Sequence, residues 1–184
     1  MTDQLSPAPR PSAPRRGSTR RIKRFFVGVT AAAAVAVPAL VSTSTTAEAA
    51  TAVTLLANGA SCSYINGPTT TGWNARTFTN TWKSGPSPLG YENPVATSIG
   101  VPARTAYFRC SFNVTDPALL SNVNLSLKYD DGAVAYINGV EAGRANLPTG
   151  AVSYMTSATA AEPSDGTTAK TFPISTSRLV KVTN

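Results

Sequence analysis

The side chains able to do chemistry in this chain are few. Its 184 residues include no histidine and two cysteines, Cys62 and Cys110. Without imidazole, Ser-His-Asp and Cys-His nucleophile activation cannot be assembled, nor can most catalytic zinc sites. Asp130-Asp131 is the one pair of adjacent carboxylates. Paired acids hydrolyse glycosides only when they face each other across a substrate, which neighbours in a turn do not readily do. Calcium takes six to eight oxygens, and no recognisable loop around this pair supplies them. Followed by Gly132, the pair reads as turn residues. Neither a Gly-rich phosphate loop nor a zinc-binding cysteine cluster is present. The expectation is a chain with no catalytic residues, no metal site and no cofactor of its own.

Aromatic and amide groups remain. Trp73, Trp82 and Tyr91 offer ring faces on which sugars stack, and Asn146 offers an amide that can orient hydroxyls. Trp82 and Tyr91 fit a packing role better, because large aromatics mostly serve burial. Trp73 is the least constrained of the three. Trp73, Tyr91 and Asn146 form the candidate ligand-binding set.

The charge is distributed unevenly. The formal balance of +7 suggests a nucleic-acid or membrane surface until it is mapped along the chain. Seven of the 16 basic residues precede residue 25, whereas residues 50–184 hold nine basic against seven acidic groups, a balance of +2. The surplus belongs to the N-terminal segment, and nucleic acid is not an expected partner. That segment runs from a Pro-rich basic stretch ending at Arg24, through an uncharged run from Phe25 to Val41, to Ala47-Glu48-Ala49-Ala50. This is the layout of a secretory signal peptide with an A-x-A site. The reading is a leader over 1–49, cut after Ala49 or Ala50, and a mature module over 50–184. The alternative is a membrane anchor, since the uncharged stretch read from Phe25 to Ala47 is long enough to span a bilayer. Its Ala-rich composition and Pro38 favour the leader, so a membrane is expected as a partner only through an uncleaved leader. Arg20-Arg21 loosely matches a twin-arginine export signal. The expected location is extracellular or the cell envelope.

Strands must position the candidate side chains, because the mature part shows period-two alternation and no sustained helical spacing. Val123, Leu125, Leu127 and Tyr129 fall on one face of a strand. Asp130-Asp131-Gly132 is expected to turn this strand into Ala133 to Ile137, and Asn138-Gly139 to turn that into Val140 to Ala145, making three antiparallel strands. Ala106 to Val114 alternates Phe108, Cys110, Phe112 and Val114 against Tyr107, Arg109, Ser111 and Asn113. Val53 to Leu56 and Ser61 to Ile65 flank Asn58-Gly59 as a further expected hairpin, and Lys170 to Ile174 adds a strand. Lys83 to Arg104, rich in Pro and Gly, is expected to be loop, as are residues 156 to 168. The spacing predicts an all-β sandwich or barrel. Cys62 and Cys110 both point inward by this alternation; in an exported chain they suggest a disulfide, the alternative being two buried thiols. Asn113-Val114-Thr115 and Asn124-Leu125-Ser126 match the glycosylation pattern, which matters only in a host that uses it.

Four motifs in order carry a resemblance. They are Trp82-Lys83-Ser84-Gly85-Pro86-Ser87-Pro88-Leu89-Gly90-Tyr91, Ala106-Tyr107-Phe108-Arg109, Asp130 to Glu141, and Arg144-Ala145-Asn146-Leu147-Pro148-Thr149-Gly150. Together they resemble a galactose-binding-like jelly-roll module of secreted bacterial proteins, often found ahead of a calcineurin-like metallophosphoesterase domain. The resemblance covers nearly all of residues 53 to 182. It implies a jelly-roll β-sandwich. The cysteine pair departs from the family pattern, and so does the end of the chain at Val182-Thr183-Asn184, where the family continues into another strand. The sandwich is therefore expected to lack its last strand.

The resemblance implies a noncatalytic accessory module, the N-terminal fragment of an exported hydrolase whose catalytic domain lies outside this sequence. Di-metal phosphoesterases need several His and carboxylate ligands, and this chain has no His. The alternative is a stand-alone module binding carbohydrate or cell-envelope glycan. The expected partners are accordingly a glycan or a C-terminal catalytic domain.

Overall fold

The computed structural model describes residues 26–33, 51–92, 94–101 and 103–181. The basic stretch to Arg24 and the Ala47-Glu48-Ala49-Ala50 site lie outside the described residues. Eleven strands form among the described residues and no helix exceeds three residues, so the chain is all-β. In order they are β1 (Phe26–Ala33), β2 (Ala52–Leu56), β3 (Ser61–Asn66), β4 (Lys83–Pro86), β5 (Leu89–Gly90), β6 (Thr97–Ser98), β7 (Ala106–Cys110), β8 (Leu120–Lys128), β9 (Ala133–Ile137), β10 (Val140–Ala145) and β11 (Lys170–Pro173).

The strand that organises the molecule is β8. Alternation buries Val123, Leu125, Leu127 and, just beyond the strand, Tyr129, while Asn124, Ser126 and Lys128 stay half-buried on the other face. Each fully buried Val or Leu contributes about 1.5–3 kcal/mol. The strand is central in a four-stranded sheet of order β11-β8-β1-β2. Both β1 and β11 run antiparallel to it, with Val29 opposite Leu125 and Phe172 opposite the same residue on the other side. The ribbon β9–β10 covers this sheet, so Val29, Leu56, Leu125, Ile137, Ala145 and Phe172 belong to one core. At Gly143 the approach is close: a Cβ there would lie 2.4 Å from the Phe172 ring. Asn138 and Gly139 take φ of 51° and 88°, the left-handed pair that closes a two-residue hairpin between β9 and β10.

Elements and their pairing part company in several places. The strand leading to Tyr129 and the β9–β10 hairpin do not form a three-stranded meander, because β8 pairs with β1 and β11 instead. Asp130-Asp131-Gly132 is a corner between two sheets, with Asp130 buried and none of the three at positive φ. The β2 and β3 strands do not pair as a hairpin. Asn58-Gly59 turns the chain, yet β2 continues the β1 side while β3 sits between β4 and β7. Lys83 to Arg104 holds β4, β5 and β6, kept short by Pro86 and Pro88, where proline removes ladder donors. Finally, Ala106 to Val114 is a strand only to Cys110, and its two faces are equally half-buried. Residues 26–33, part of the uncharged run Phe25 to Val41 of the expected leader, are strand β1.

Cys62 on β3 faces Cys110 on β7 in register, and the two form a disulfide with Cα atoms 4.4 Å apart. Ser87 is buried beside the 58–60 turn: its Oγ accepts from Gly59 N at 3.0 Å and its own N donates to Ala60 O at 2.9 Å.

Candidate functional site

The loop 67–82, between β3 and β4, brings Trp73, Phe78 and Trp82 over one face of β7. That face carries Tyr107 and Arg109, odd-numbered neighbours that alternation puts on the same side. The Arg109 guanidinium donates to the carbonyls of Trp73 and Phe78, the latter at 3.3 Å, and lies 5.2 Å from the Phe78 ring centroid. Burial pushes this guanidinium below its ordinary value, which still leaves it charged at neutral pH. One cation thus satisfies two loop carbonyls and stacks on an aromatic face, a combination suited to arginine's planar fork. Turn bonds Ala75 N to Gly72 O at 2.9 Å and Phe78 N to Ala75 O at 3.1 Å shape the loop itself.

Held this way, Trp73 is the hub of an aromatic cluster. Its ring meets Tyr107 edge-on at 4.9 Å, Tyr136 of β9 edge-on at 5.7 Å and Trp82 at 6.5 Å. Edge-to-face contacts of this kind add about 0.5–1.5 kcal/mol each beyond burial. Burial raises the phenols of Tyr107 and Tyr136, so both stay protonated near neutral pH.

Between this cluster and the core opens a cleft of about 350 Å³. Trp73, Phe108, Phe112 and Tyr136 form apolar walls, and Val29, Leu56 and Leu125 reach it from the core side. The polar lining is Asn74, Arg76, Arg109, Ser111, Asn113 and Asn138. Among the described residues no carboxylate lines it. The arrangement offers ring faces, amide and hydroxyl groups and positive charge. A wider hollow of about 530 Å³ lies along Leu120–Asn124 and Pro173–Thr176, but neither aromatic nor charged groups line it and it lacks anchors for a ligand.

Of the three expected binding residues, Trp73 lines the cleft and Tyr91 and Asn146 do not. Tyr91 is half-buried just after β5. Asn146, at φ 48°, is a corner residue whose Nδ2 donates to Asp131 O at 3.0 Å and whose carbonyl accepts from Thr159 N at 2.8 Å. Asp131 Oδ1 also accepts from Glu162 N at 3.1 Å, which ties the corner to the 156–168 loop. Arg109, Arg76 and Tyr136 are the cleft residues that sequence reasoning missed. A signal existed for Arg109, an arginine following Tyr107 on the polar side of a strand that also carries a cysteine. Among the described residues no cluster of three or more His, Cys, Asp or Glu could hold a metal ion, and no helix is long and apolar enough to cross a membrane. No known family, curated protein or solved structure matches this chain.

Proposed function

We propose that this chain is a noncatalytic accessory module of an exported protein, with a galactose-binding-like jelly-roll fold, whose catalytic partner is a metallophosphoesterase domain. The observation that carries the noncatalytic reading is the cleft: aromatic walls, amides and guanidinium groups, with no carboxylate among the described residues. The family part is supported by the way its motifs meet. Asn146 of the last motif bonds Asp131 of the third. The same corner is braced by Arg144, which pairs with Glu141 at 2.6 Å and donates to Pro148 O. Export rests on the order of basic, uncharged and A-x-A segments in residues 1–49.

A second reading, glycan binding by the cleft itself, is favoured by Trp73 standing at its wall with Asn74 and Arg76 beside it. Sugars use such a ring face with a few convergent polar groups. Calorimetric titration of the full chain with cell-envelope glycan fragments tests this: saturable binding weakened at least tenfold by Trp73→Ala supports it, on the scale of about 1.4 kcal/mol. Absence of binding by a folded chain removes the glycan reading and leaves the accessory one. That one is tested with a phosphodiester substrate and added divalent metal. The chain alone should give no turnover, and sustained turnover would overturn it.

A further inference from the structure

Strand β1 occupies an unusual place for a segment so near the start of the chain. It is flanked on both sides, antiparallel to β8 from Phe26↔Lys128 to Ala33↔Leu120 and to β2 from Val29↔Leu56 to Ala32↔Ala52. β2 has no other strand neighbour in its sheet. Val29, 2% exposed, fills the core between Leu56 and Leu125 and also lines the candidate cleft. Taking β1 away would leave two strand edges facing each other across an empty row, with unpaired backbone donors and acceptors on both.

The leader reading places its cut site in the connection. Residues 34–51 join β1 to β2, and Ala47-Glu48-Ala49 falls within them, three residues before β2 begins at Ala52. A cut after Ala49 spares every other described strand and severs only the tether of β1.

We infer that the groove between β2 and β8 is a strand-acceptor site. It takes an extended segment antiparallel to both edges, with a β-branched apolar residue at the position of Val29 and small residues around it. In the uncut chain the occupant is residues 26–33; after a cut the same groove accepts a segment of that chemistry in trans. Recognition is by backbone ladders on two sides, with the buried Val29 side chain setting register, the logic of β-strand addition. The cut in the natural protein rests on the leader reading; the strand-accepting geometry of the groove does not.

The test uses the full chain with a site-specific protease sequence inserted between residues 41 and 47. A fluorescein-labelled peptide spanning residues 24–35 is followed by anisotropy before and after cutting, and the cut protein is run on native gel filtration. The acceptor groove predicts that uncut protein ignores the peptide, while cut protein either retains its own N-terminal fragment or takes up the peptide. A Val29→Asp peptide should bind at least tenfold more weakly. Loss of the fragment without uptake of the peptide, whether or not the remainder stays folded, overturns the inference, as does binding of the peptide by uncut protein as tightly as by cut protein. N-terminal sequencing of the exported protein, with Ala50 or Thr51 expected first, tests the leader reading separately.

Discussion

Two regions of the molecule are held together by different physics. Around β8, clean alternation buries a contiguous set of side chains from Val29 to Leu179 in one core. Around β3, β4 and β7, Cys62 is the one strand residue that is fully buried, and all five residues of β7 are half-exposed. That second region is secured by the Cys62–Cys110 bond, by Arg109 pinning the 67–82 loop, and by the ring cluster around Trp73. The difference shows where a binding cleft can form. The hollow along β8 is lined by neither aromatic nor charged side chains, whereas the region braced by cross-links and edge-on rings keeps such side chains half-exposed and still ordered at the cleft.

The comparison can be broken first at β8. Leu127 is 1% exposed, and Leu127→Ala should cost about 2–5 kcal/mol through lost transfer energy and the cavity left behind. In a thermal melt this is expected to shift the whole transition, and an unchanged melt would show that the β8 core is not what holds the fold. Reducing the disulfide should cost less, about 2–4 kcal/mol in the chain-entropy model for a loop closed over 48 residues. Its effect should be local. Hydrogen exchange should rise in β3, β7 and the 67–82 loop while β8 stays protected. Loss of protection spread evenly over both regions would mean that they are one cooperative unit.

The smallest expected effect sharpens the boundary between the β8 core and the loops. The Tyr129 hydroxyl is buried and donates to the Glu162 carboxylate; burial first, then this bond and the negative charge, push the phenol up to about 12. A raised pKa means that the proton is held more tightly in the folded state. The stabilisation is therefore complete below the unfolded value of 10.0 and is lost as pH rises towards about 12. Glu162 shifts the other way, lowered chiefly by the Tyr129 bond and then by Ser164. Its contribution is present above the ordinary carboxylate range and is lost as acid protonates it. Alkaline unfolding monitored by circular dichroism should show this window, and Tyr129→Phe should flatten it. An identical profile in the variant would place the alkaline transition elsewhere.

Much of the fold was legible. The bounds Ala133–Ile137 and Val140–Ala145 coincide with the expected strands, because alternation on either side of Asn138-Gly139 leaves little freedom. The burial of Val123, Leu125, Leu127 and Tyr129 follows from the same period. Partners were not legible, since a period of two says which face is buried and not what covers it. Hence β2 and β3 were expected together and lie in different sheets. Of the site, Trp73 stood out because nothing in the sequence gave it a packing role. Asn146 was named for its amide, and that amide is engaged with Asp131 in the corner. Tyr136 and Arg109 escaped notice because their meeting with Trp73 depends on a loop folding across β7.

By itself the sequence determined an all-β chain without imidazole chemistry, with most of its excess positive charge in the first residues and its strands bounded by glycine, proline and asparagine. These follow from composition and local steric preference, which need no distant partner. The tertiary structure alone decided that Phe26–Ala33 lies between β2 and β8, that Asp130-Asp131-Gly132 joins two sheets, and that Trp73, Arg109 and Tyr136 share one cleft. Each of these is a long-range pairing. Backbone ladders accept many sequences, and the choice among them is made by which apolar faces can be buried together.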